Sequence, residues 1–365
     1  MSLDIGIIGL PKSGKTSIFN GLTRGRVATT AAAKDMPANV GIAGVPDARL
    51  QALADMFQPQ RVVPAEVKYI DIGAAVSIKD EAISGQLLNQ VSTADLLLHV
   101  VRAFKDDSVP HIKGSVDAER DIGIMDLELA FSDMTIIEKR QGRIEQGLKA
   151  AKPPDRPRIL KEQELLTRIK AELEKGIPVR EMGLNTEEAK SISNYQFLTA
   201  KPMLMVLNIG EDQLPDIPTI EAQFGAKYTR PRCKVIALCG KLESELAQLD
   251  TLAAQQFRSE FGIKEAGLDR VIQLSYELLG LISFFTVGAD EVRAWSIPRG
   301  TEAVKAAGKI HSDLERGFIR AEVVTYDDLV KSGGLVEAKK HGVLRLEGKT
   351  YIVQDGDVIT ILFNV

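Results

Sequence analysis

A nine-residue segment, GLPKSGKTS at residues 9–17, constrains the fold of this chain more than any other feature. Gly9, Gly14, Lys15 and Thr16 complete the pattern G-x-x-x-x-G-K-T between an apolar run, DIGIIGL, and a helical one, SIFNGL. A strand, a glycine-containing loop and a helix in this order are typical of a phosphate-binding loop. Its backbone N–H groups approach the phosphates, its lysine bridges the β and γ oxygens, and its threonine holds Mg²⁺. The sequence therefore predicts a nucleoside triphosphate site with Mg²⁺.

The predicted site extends to the ends of three further apolar runs. Near the end of VKYIDIG (67–73), Asp71 stands at the place of a Walker B aspartate, which holds the metal. The carboxyl ends of parallel strands meet at one edge of a sheet, so we expect these loops to share a crevice. We predict Lys15 and Lys12 as catalytic, and Thr16 and Asp71 as metal ligands. The predicted nucleotide-binding residues are Gly9, Pro11, Lys12, Ser13, Gly14, Lys15, Thr16, Ser17, Asn208, Glu211, Gly240 and Lys241.

Short and almost continuous apolar runs predict buried parallel strands, and helical patterns separate most of them. These runs lie at residues 4–10, 67–73, 96–101, 203–209 and 234–240. This alternation predicts an α/β fold with a GTPase-like sheet that helices cover on both faces. We assign residues 1–125 and 199–280 to this nucleotide-binding domain.

The segment at residues 126–198 is charged and helical, and it is too long for one crossover between strands. Two apolar stripes separated by PPDRP (153–157) predict an antiparallel pair of helices. Two roles are open for this insert: a structural stalk or a partner-binding arm. The stripes consist of Ile137, Ile144 and Leu148, and of Leu166, Ile169 and Leu173.

From residue 281 the pattern changes to short apolar runs with turn residues between them, which predicts a small mixed β domain at 281–365. The strand candidates are FFTV, VRAWSI, FIRAEVVTY, VLRLEG, KTYIV and DVITILFNV. Cations and one aromatic residue in this region suit contact with RNA or ribosomal protein, with ordinary solubility charges as the alternative. Trp295 fits the core better than a base-stacking platform. These residues are Arg293, Trp295, Arg299, His311, Arg316 and Arg320.

Composition restricts the possible partners and the compartment. The formal net charge of -4 argues against broad electrostatic capture of nucleic acid, so we expect no DNA partner. No apolar run approaches the roughly 20 residues that span a bilayer, so we expect no membrane partner. The two cysteines, Cys233 and Cys239, fit a reduced cytoplasmic protein better than a disulfide framework.

Long stretches of the chain resemble the YchF family of Obg-like ATPases, within the translation-factor-related P-loop NTPases. The resemblance rests on ANVGIAGVPDARL (38–50), AFKDDSVPHIKGSVDAERDI (103–122), NIGE (208–211), KLESELAQLD (241–250) and most of LLGLISFFTVGADEVRAW through VQDGDVITILFNV. It implies a GTPase-like fold with an inserted coiled-coil hairpin and a C-terminal TGS domain of ubiquitin-like β-grasp shape. It also implies association with ribosomes and a preference for ATP over GTP.

The run NIGE bears on the choice of base. Guanine-specific relatives carry N-K-x-D, whose aspartate accepts two hydrogen bonds from guanine and whose lysine covers the ring. Here the lysine is replaced by Ile209 and the aspartate by the longer Glu211, which weakens a guanine clamp. In the family, N-x-x-E accompanies adenine recognition and the asparagine bonds the base. Glu211 as a solvated loop end is the alternative.

The chain departs from the family pattern around the γ-phosphate. Relatives usually carry Asn at the position of Lys12, and in cation-activated members of the wider class that Asn helps to hold a potassium ion. Lys12 therefore either supplies a built-in cation near the phosphates or points to solvent as a generic positive charge.

Further departures fall in the two switch regions. Asp35 replaces a threonine that completes Mg²⁺ coordination, so it either binds the metal or repels the triphosphate. Ala74 replaces a glycine of D-x-x-G, and Ala75 follows it. Gln86 and Gln90 are candidates for positioning water, with ordinary helix surface as the alternative.

Two functions remain open from the sequence. The first is a ribosome-associated ATPase with slow turnover, and the second is a nucleotide-sensing module with little or no hydrolysis. A metabolic P-loop kinase is a more distant third, because no second-substrate lid or acceptor site is visible.

Overall fold

The computed structural model describes residues 3–24, 27–28, 39–71, 91–150, 152–260, 263 and 265–364. The chain divides into two compact units. The first unit contains Leu3–Ile42 and Lys68–Val271, and the second contains Ala43–Val67 and Ile272–Val365. The predicted boundaries placed residues 43–67 with the phosphate loop, whereas these residues group with the C-terminal part of the chain. The division into three domains stays a prediction.

A seven-stranded sheet organises the first unit, in the order β2-β3-β5-β1-β6-β7-β8. The strands β5, β1, β6, β7 and β8 are parallel, which confirms the five apolar runs as parallel strands. All seven residues of β6 are buried, as expected of a central strand between two layers of helices. The strands are β1 Asp4–Ile8, β2 Val27–Ala28, β3 Asn39–Gly44, β5 Glu66–Asp71, β6 Leu96–Arg102, β7 Met203–Asn208 and β8 Cys233–Leu238.

The helices of this unit follow the strands or belong to the insert. They are α1 Lys15–Thr23, α3 Ala118–Ala150, α4 Arg156–Glu174, α5 Thr186–Ile192, α6 Ile217–Tyr228, α7 Gly240–Leu246, α8 Thr251–Glu260 and α9 Gly267–Leu278, which continues into the second unit. Single 3₁₀ turns lie at Val179–Glu181, Ser193–Tyr195 and Leu198–Ala200, and a longer one at Glu211–Asp216.

The two long helices α3 and α4 pack on each other through the predicted apolar stripes. Ile137, Ile144, Leu166, Ile169 and Leu173 are buried in one cluster, and Leu148 is partly buried beside it. Ion pairs fix the register of the helices, among them Arg140 with Glu162 and Lys170 with Glu138, both at 2.8 Å. Asp133 of α3 accepts hydrogen bonds from the backbone N–H groups of Leu198 and Thr199, which attaches the helix to the segment before β7.

The second unit contains a six-stranded sheet in the order β12-β11-β13-β9-β10-β4. Its strands are β4 Arg61–Val63, β9 Leu281–Val287, β10 Glu291–Pro298, β11 Phe318–Thr325, β12 Arg345–Glu347 and β13 Asp357–Phe363. Its helices are α2 Ala48–Phe57, α10 Ala303–Ile310, α11 Ser312–Arg316, α12 Tyr326–Ser332 and α13 Leu335–Lys340.

Two features explain why residues 43–67 belong to the second unit. The strand β4 pairs with β10, and Arg49 of α2 forms a 2.8 Å ion pair with Asp355 while its guanidinium lies over the Phe285 ring. The strand predicted for KTYIV is wrong, since only Ile352 forms an isolated bridge. The neighbouring Tyr351 side chain donates a hydrogen bond to Asp357. No described helix is both long and apolar enough to cross a membrane.

Candidate nucleotide site

The loop between β1 and α1 has the backbone geometry that its two motif glycines allow. Gly9 and Gly14 have φ values of 147° and 95°, a region that residues with a Cβ rarely adopt. A Cβ on Gly9 would collide with the carbonyl oxygen of Val100, and one on Gly14 would collide with the side-chain nitrogen of Asn208. Helix α1 begins immediately after Gly14, so its first N–H groups have no acceptor within the helix and suit a phosphate.

Lys15 is buried at the start of α1, and its ammonium folds back onto the loop. Its Nζ atom donates hydrogen bonds to the carbonyl oxygens of Gly9, at 3.0 Å, and Leu10, at 2.9 Å. Burial lowers the pKa of Lys15 to about 8, and the negative charge of Asp71 opposes this shift. A phosphate in the loop would therefore stabilise the charged form of Lys15.

Thr16 and Asp71 form the metal side of the site. The Thr16 hydroxyl donates a 3.2 Å hydrogen bond to Oδ2 of Asp71, although the two residues are far apart in sequence. Asp71 is fully buried, and its Oδ1 atom has no hydrogen-bond partner within the described part of the chain. Burial raises the pKa of Asp71. A buried carboxylate oxygen without a partner, next to a hydroxyl, fits Mg²⁺, which binds one or two protein oxygens together with phosphates and water.

Asn208 connects two of the loops that the sequence predicts around the nucleotide. Its side-chain nitrogen donates a 2.9 Å hydrogen bond to the Ser13 carbonyl, and its oxygen accepts one of 2.9 Å from the Gly240 N–H. Asn208 is buried, so these bonds fix the phosphate loop against the first residue of α7. The base contact proposed for Asn208 stays a prediction.

The end of the NIGE run differs in environment from its start. Ile209 is 1% exposed and belongs to the core of the first unit, so the position of the covering lysine in N-K-x-D is occupied by a core residue. Glu211 is exposed and forms a 3.0 Å ion pair with Lys241, which is exposed as well. The carboxylate that would accept hydrogen bonds from guanine thus pairs with a cation in the first turn of α7.

Lys12 lies at the exposed tip of the phosphate loop with a positive φ of 63°, which strains a residue that has a Cβ. Its Nζ atom is 3.4 Å from the carbonyl oxygen of Pro110 and donates a hydrogen bond to it. The Lys12 ammonium therefore extends from the phosphate loop toward the segment that follows β6. Its placement as a cation beside the phosphates stays a prediction.

Two histidines near this loop are not among the residues predicted for the site. His111 follows Pro110, and its Nδ1 atom accepts a 3.1 Å hydrogen bond from the Lys113 N–H. The proton of the ring therefore lies on Nε2, which donates a 2.8 Å hydrogen bond to the Asp121 carboxylate. His99 is fully buried in β6, and burial and then the Lys15 charge lower its pKa to about 3. The apolar run LLLHVV predicts the burial of His99, but nothing in the sequence indicates its charged neighbour.

The remaining predicted residues divide into described and undescribed positions. In the phosphate loop, Ser13 is buried, Pro11 is partly exposed, and Ser17 is exposed on the first turn of α1. The predicted metal ligand Asp35 and the switch residues Ala74, Ala75, Gln86 and Gln90 lie outside the described residues.

Comparison with known proteins identifies the family. The Ribosome-binding ATPase YchF of Bacillus subtilis (strain 168) is 42% identical over 370 residues, and the alignment covers 100% of both chains. The chain belongs to the YchF family. The YchF protein of Escherichia coli O157:H7 is 37% identical over 368 residues, again with full coverage of both chains. The family model YchF-GTPase_C, described as a protein of unknown function (DUF933), matches residues 281–364.

A solved structure agrees with this assignment. The structure of the Schizosaccharomyces pombe YchF GTPase superposes with a TM-score of 0.86 at 27% sequence identity, covering 99% of this chain and 98% of that one. The resemblance to YchF proteins inferred from the sequence is therefore confirmed. The chain is a P-loop NTPase of the YchF family with a GTPase-like fold of mixed sheets and helices.

Proposed function

We propose that this protein binds Mg²⁺-ATP at the phosphate loop, hydrolyses it slowly and acts on ribosomes in the cytoplasm. The observation that carries the proposal is the convergence of Lys15, Thr16 and Asp71, which places an ammonium, a hydroxyl and an unpartnered carboxylate oxygen around one loop. These are the groups that a P-loop NTPase uses to hold phosphates and Mg²⁺.

Within this site, the chain would promote hydrolysis mainly by positioning the phosphates and stabilising their charge, and less by transferring protons. The N–H groups at the start of α1 and the Lys15 ammonium orient the phosphates, and Thr16 and Asp71 hold the metal. Bound Mg²⁺ would neutralise charge that develops on the phosphate oxygens. Lys12 reaches the phosphates when its ammonium leaves the Pro110 carbonyl, a weak contact at 3.4 Å.

ATP is the proposed nucleotide because the contacts of a guanine clamp are changed in two ways. The covering lysine is replaced by the buried Ile209, and the carboxylate of Glu211 pairs with Lys241. A site that binds guanine through two hydrogen bonds to a carboxylate loses much of its discrimination when that carboxylate is lengthened and engaged elsewhere. An adenine contact by Asn208 would use the second N–H of its amide, because the first donates to the Ser13 carbonyl and the oxygen accepts the Gly240 N–H.

The ribosome is the proposed partner because the curated relatives are named ribosome-binding ATPases. We propose that α3 and α4 form the coiled-coil insert of this family and that residues 281–365 form its TGS domain. On the second unit, Arg299, His311, Arg316 and Arg320 are exposed and suit contact with ribosomal RNA or protein. Trp295 does not suit base stacking, since Phe284 stacks on its ring and the Arg293 guanidinium covers it at 4.4 Å.

The test is release of inorganic phosphate from ATP and from GTP, with and without ribosomes, on the native chain and on Lys15→Ala. The proposal expects faster release from ATP, stimulation by ribosomes, and loss of release in Lys15→Ala. If the native chain binds ATP but releases no phosphate even with ribosomes, the hydrolysis is refuted and the nucleotide-sensing module replaces it.

A further inference from the structure

A second concave site lies in the first unit, at the edge of the sheet opposite to the phosphate loop. Its lining includes residues directly before three parallel strands: Asp95 before β6, Pro202 before β7 and Arg232 before β8. The phosphate loop follows the carboxyl end of β1, and none of its residues lines this cavity. The cavity has a volume of about 620 Å³, within the usual range for small-molecule sites.

The charged residues of the lining are predominantly cations. Arg180, Lys201 and Arg232 line the cavity together with one carboxylate, Asp95, so three positive charges face one negative charge. The Asp95 carboxylate also accepts a 2.9 Å hydrogen bond from the Asp4 N–H. Within the described part of the chain, none of the three cations forms a direct ion pair, although the Asp126 carboxylate lies near Arg180 and the Asp95 and Asp133 carboxylates lie near Lys201.

Neutral groups satisfy the three cations unevenly. Arg180 has a buried Nε atom without a partner among the described residues, and its only described hydrogen bond is a long one, 3.4 Å, to the Thr199 carbonyl. Lys201 donates to the Ala94 carbonyl at 2.6 Å. Burial and then the nearby Arg180 charge lower the pKa of Arg232, so these two guanidinium groups repel each other. An arrangement of this kind is stabilised by an anion placed between the cations.

Arg232 is held in this position by a strained turn. Reciprocal backbone hydrogen bonds between Arg230 and Cys233 close a two-residue turn at Pro231 and Arg232, in which Arg232 has a φ of 65°. Glycine is favoured at the second position of a turn that needs a positive φ. A long cationic side chain at this position costs backbone energy, and such strain is found where a side chain has a function.

The rest of the lining is suited to a small organic molecule. Leu184, Ile192 and Phe197 supply apolar surface, and Ser193 and Gln196 supply polar groups. We propose that this cavity binds a small phosphorylated metabolite, whose phosphate is held by Arg180, Lys201 and Arg232 and whose organic part lies on the apolar surface. Arginine forks match phosphate oxygens in pairs, which favours phosphate over a single carboxylate.

Such a ligand would connect two parts of the first unit. Arg180 belongs to the segment that follows α4, whereas Lys201 lies two residues before β7 and Arg232 directly precedes β8. A phosphate bound to all three cations would therefore fix the base of the helical insert to the amino edge of the sheet. This site is independent of the nucleotide site and of the function proposed for it.

The first test is protection of individual arginines from phenylglyoxal, measured by peptide mass spectrometry on the full chain. Inorganic phosphate and ribose 5-phosphate are the probes, and ribose is the control without phosphate. The proposal expects both probes to slow modification of Arg180 and Arg232 at least fivefold, and ribose to have no effect. Arg230, on the same turn but outside the lining, should react at the same rate throughout.

The second test is calorimetric titration of ribose 5-phosphate in a Lys15→Gln background, which weakens binding at the phosphate loop. Arg232→Gln should weaken binding at least tenfold, and the matched variant Arg230→Gln should leave it unchanged. Arg232→Gly should also lose binding without a lower unfolding midpoint, because glycine accepts the positive φ. This variant separates loss of the site from loss of the fold.

Three results would overturn the proposal. The first is modification of Arg180 and Arg232 that saturating phosphate and ribose 5-phosphate do not slow. The second is equal binding by Arg232→Gln and Arg230→Gln. The third is protection by a single-stranded RNA oligonucleotide but by neither small phosphate, which would assign the cations to RNA contact instead.

Discussion

Thr16 and Asp71 are joined by a 3.2 Å hydrogen bond from the Thr16 hydroxyl to one oxygen of a fully buried carboxylate. The other oxygen, Oδ1, has no partner within the described residues. A buried, unpaired carboxylate oxygen is unfavourable unless a cation or a donor compensates it. The Thr16–Asp71 pair is thus arranged to bind a metal ion before any nucleotide is present.

We expect Asp71→Asn to lose the contribution of Mg²⁺ to ATP affinity. In the presence of Mg²⁺, affinity should fall about tenfold or more, since a charged ligand to the metal contributes more than about 1.4 kcal/mol. In EDTA, the variant should bind ATP at least as tightly as the native chain, because the Asp71 carboxylate no longer repels the phosphates, which isothermal titration calorimetry can measure. An equal loss with and without Mg²⁺ would show that Asp71 shapes the loop rather than holding the metal.

The lowered pKa of Lys15 predicts that ATP affinity depends on pH. The charged ammonium binds phosphate, and the charged fraction in the free protein falls as the pH rises through about 8. Affinity should therefore fall about tenfold per pH unit above this pKa, until the pKa of the bound state is reached. Lys15→Gln, which binds ATP more weakly, should lack this slope. A flat profile between pH 7 and 9.5 in the native chain would contradict the assignment.

Removal of the Asn208 side chain should destabilise the first unit. Asn208→Ala leaves the Ser13 carbonyl and the Gly240 N–H without their partner, at a cost of about 2–3 kcal/mol in the free energy of unfolding. Glu211→Gln, at an exposed ion pair of the same run, should change it by less than about 0.5 kcal/mol. Urea unfolding followed by circular dichroism gives both values. Equal effects would mean that the bridge contributes little.

The lowered pKa of His99 predicts that the protein loses stability in acid. Its pKa is about 3 in the folded protein and 6.5 as the ordinary value, so below pH 6.5 the unfolded chain binds a proton that the folded chain does not. Stability should fall by about 1.4 kcal/mol per pH unit from this group as the pH drops from 6.5 toward 3. His99→Met should lack this part of the slope in urea unfolding at pH 7.5 and 5.5. The exposed His341→Met should keep the native slope.

The sequence predicted the parallel strands and the apolar stripes of the insert because each depends on local periodicity. The phosphate loop could be predicted from the sequence as well, since its strand, loop and helix are adjacent along the chain. The convergence of Thr16 with Asp71 followed from topology alone, because both residues end parallel strands or begin the helix after one. These predictions needed no knowledge of side-chain contacts.

Other features depend on contacts between distant segments. No local pattern shows that Arg49 pairs with Asp355, so the place of residues 43–67 in the second unit was missed. KTYIV alternates like a strand, but Tyr351 bonds to Asp357 and only Ile352 forms a bridge. The positive φ of Arg232 was equally hidden, because nothing in the residues around it requires a turn with that geometry.

The most direct test of ATP hydrolysis at this site is single-turnover phosphate release from ATP, in potassium and in sodium buffers, by the native chain and by Lys12→Asn. Asparagine tolerates a positive φ, so this variant should keep the loop conformation. We predict that release by the native chain is independent of potassium, whereas release by Lys12→Asn requires it. If neither chain releases phosphate while both retain bound ATP, hydrolysis and the role of Lys12 as a built-in cation are both contradicted.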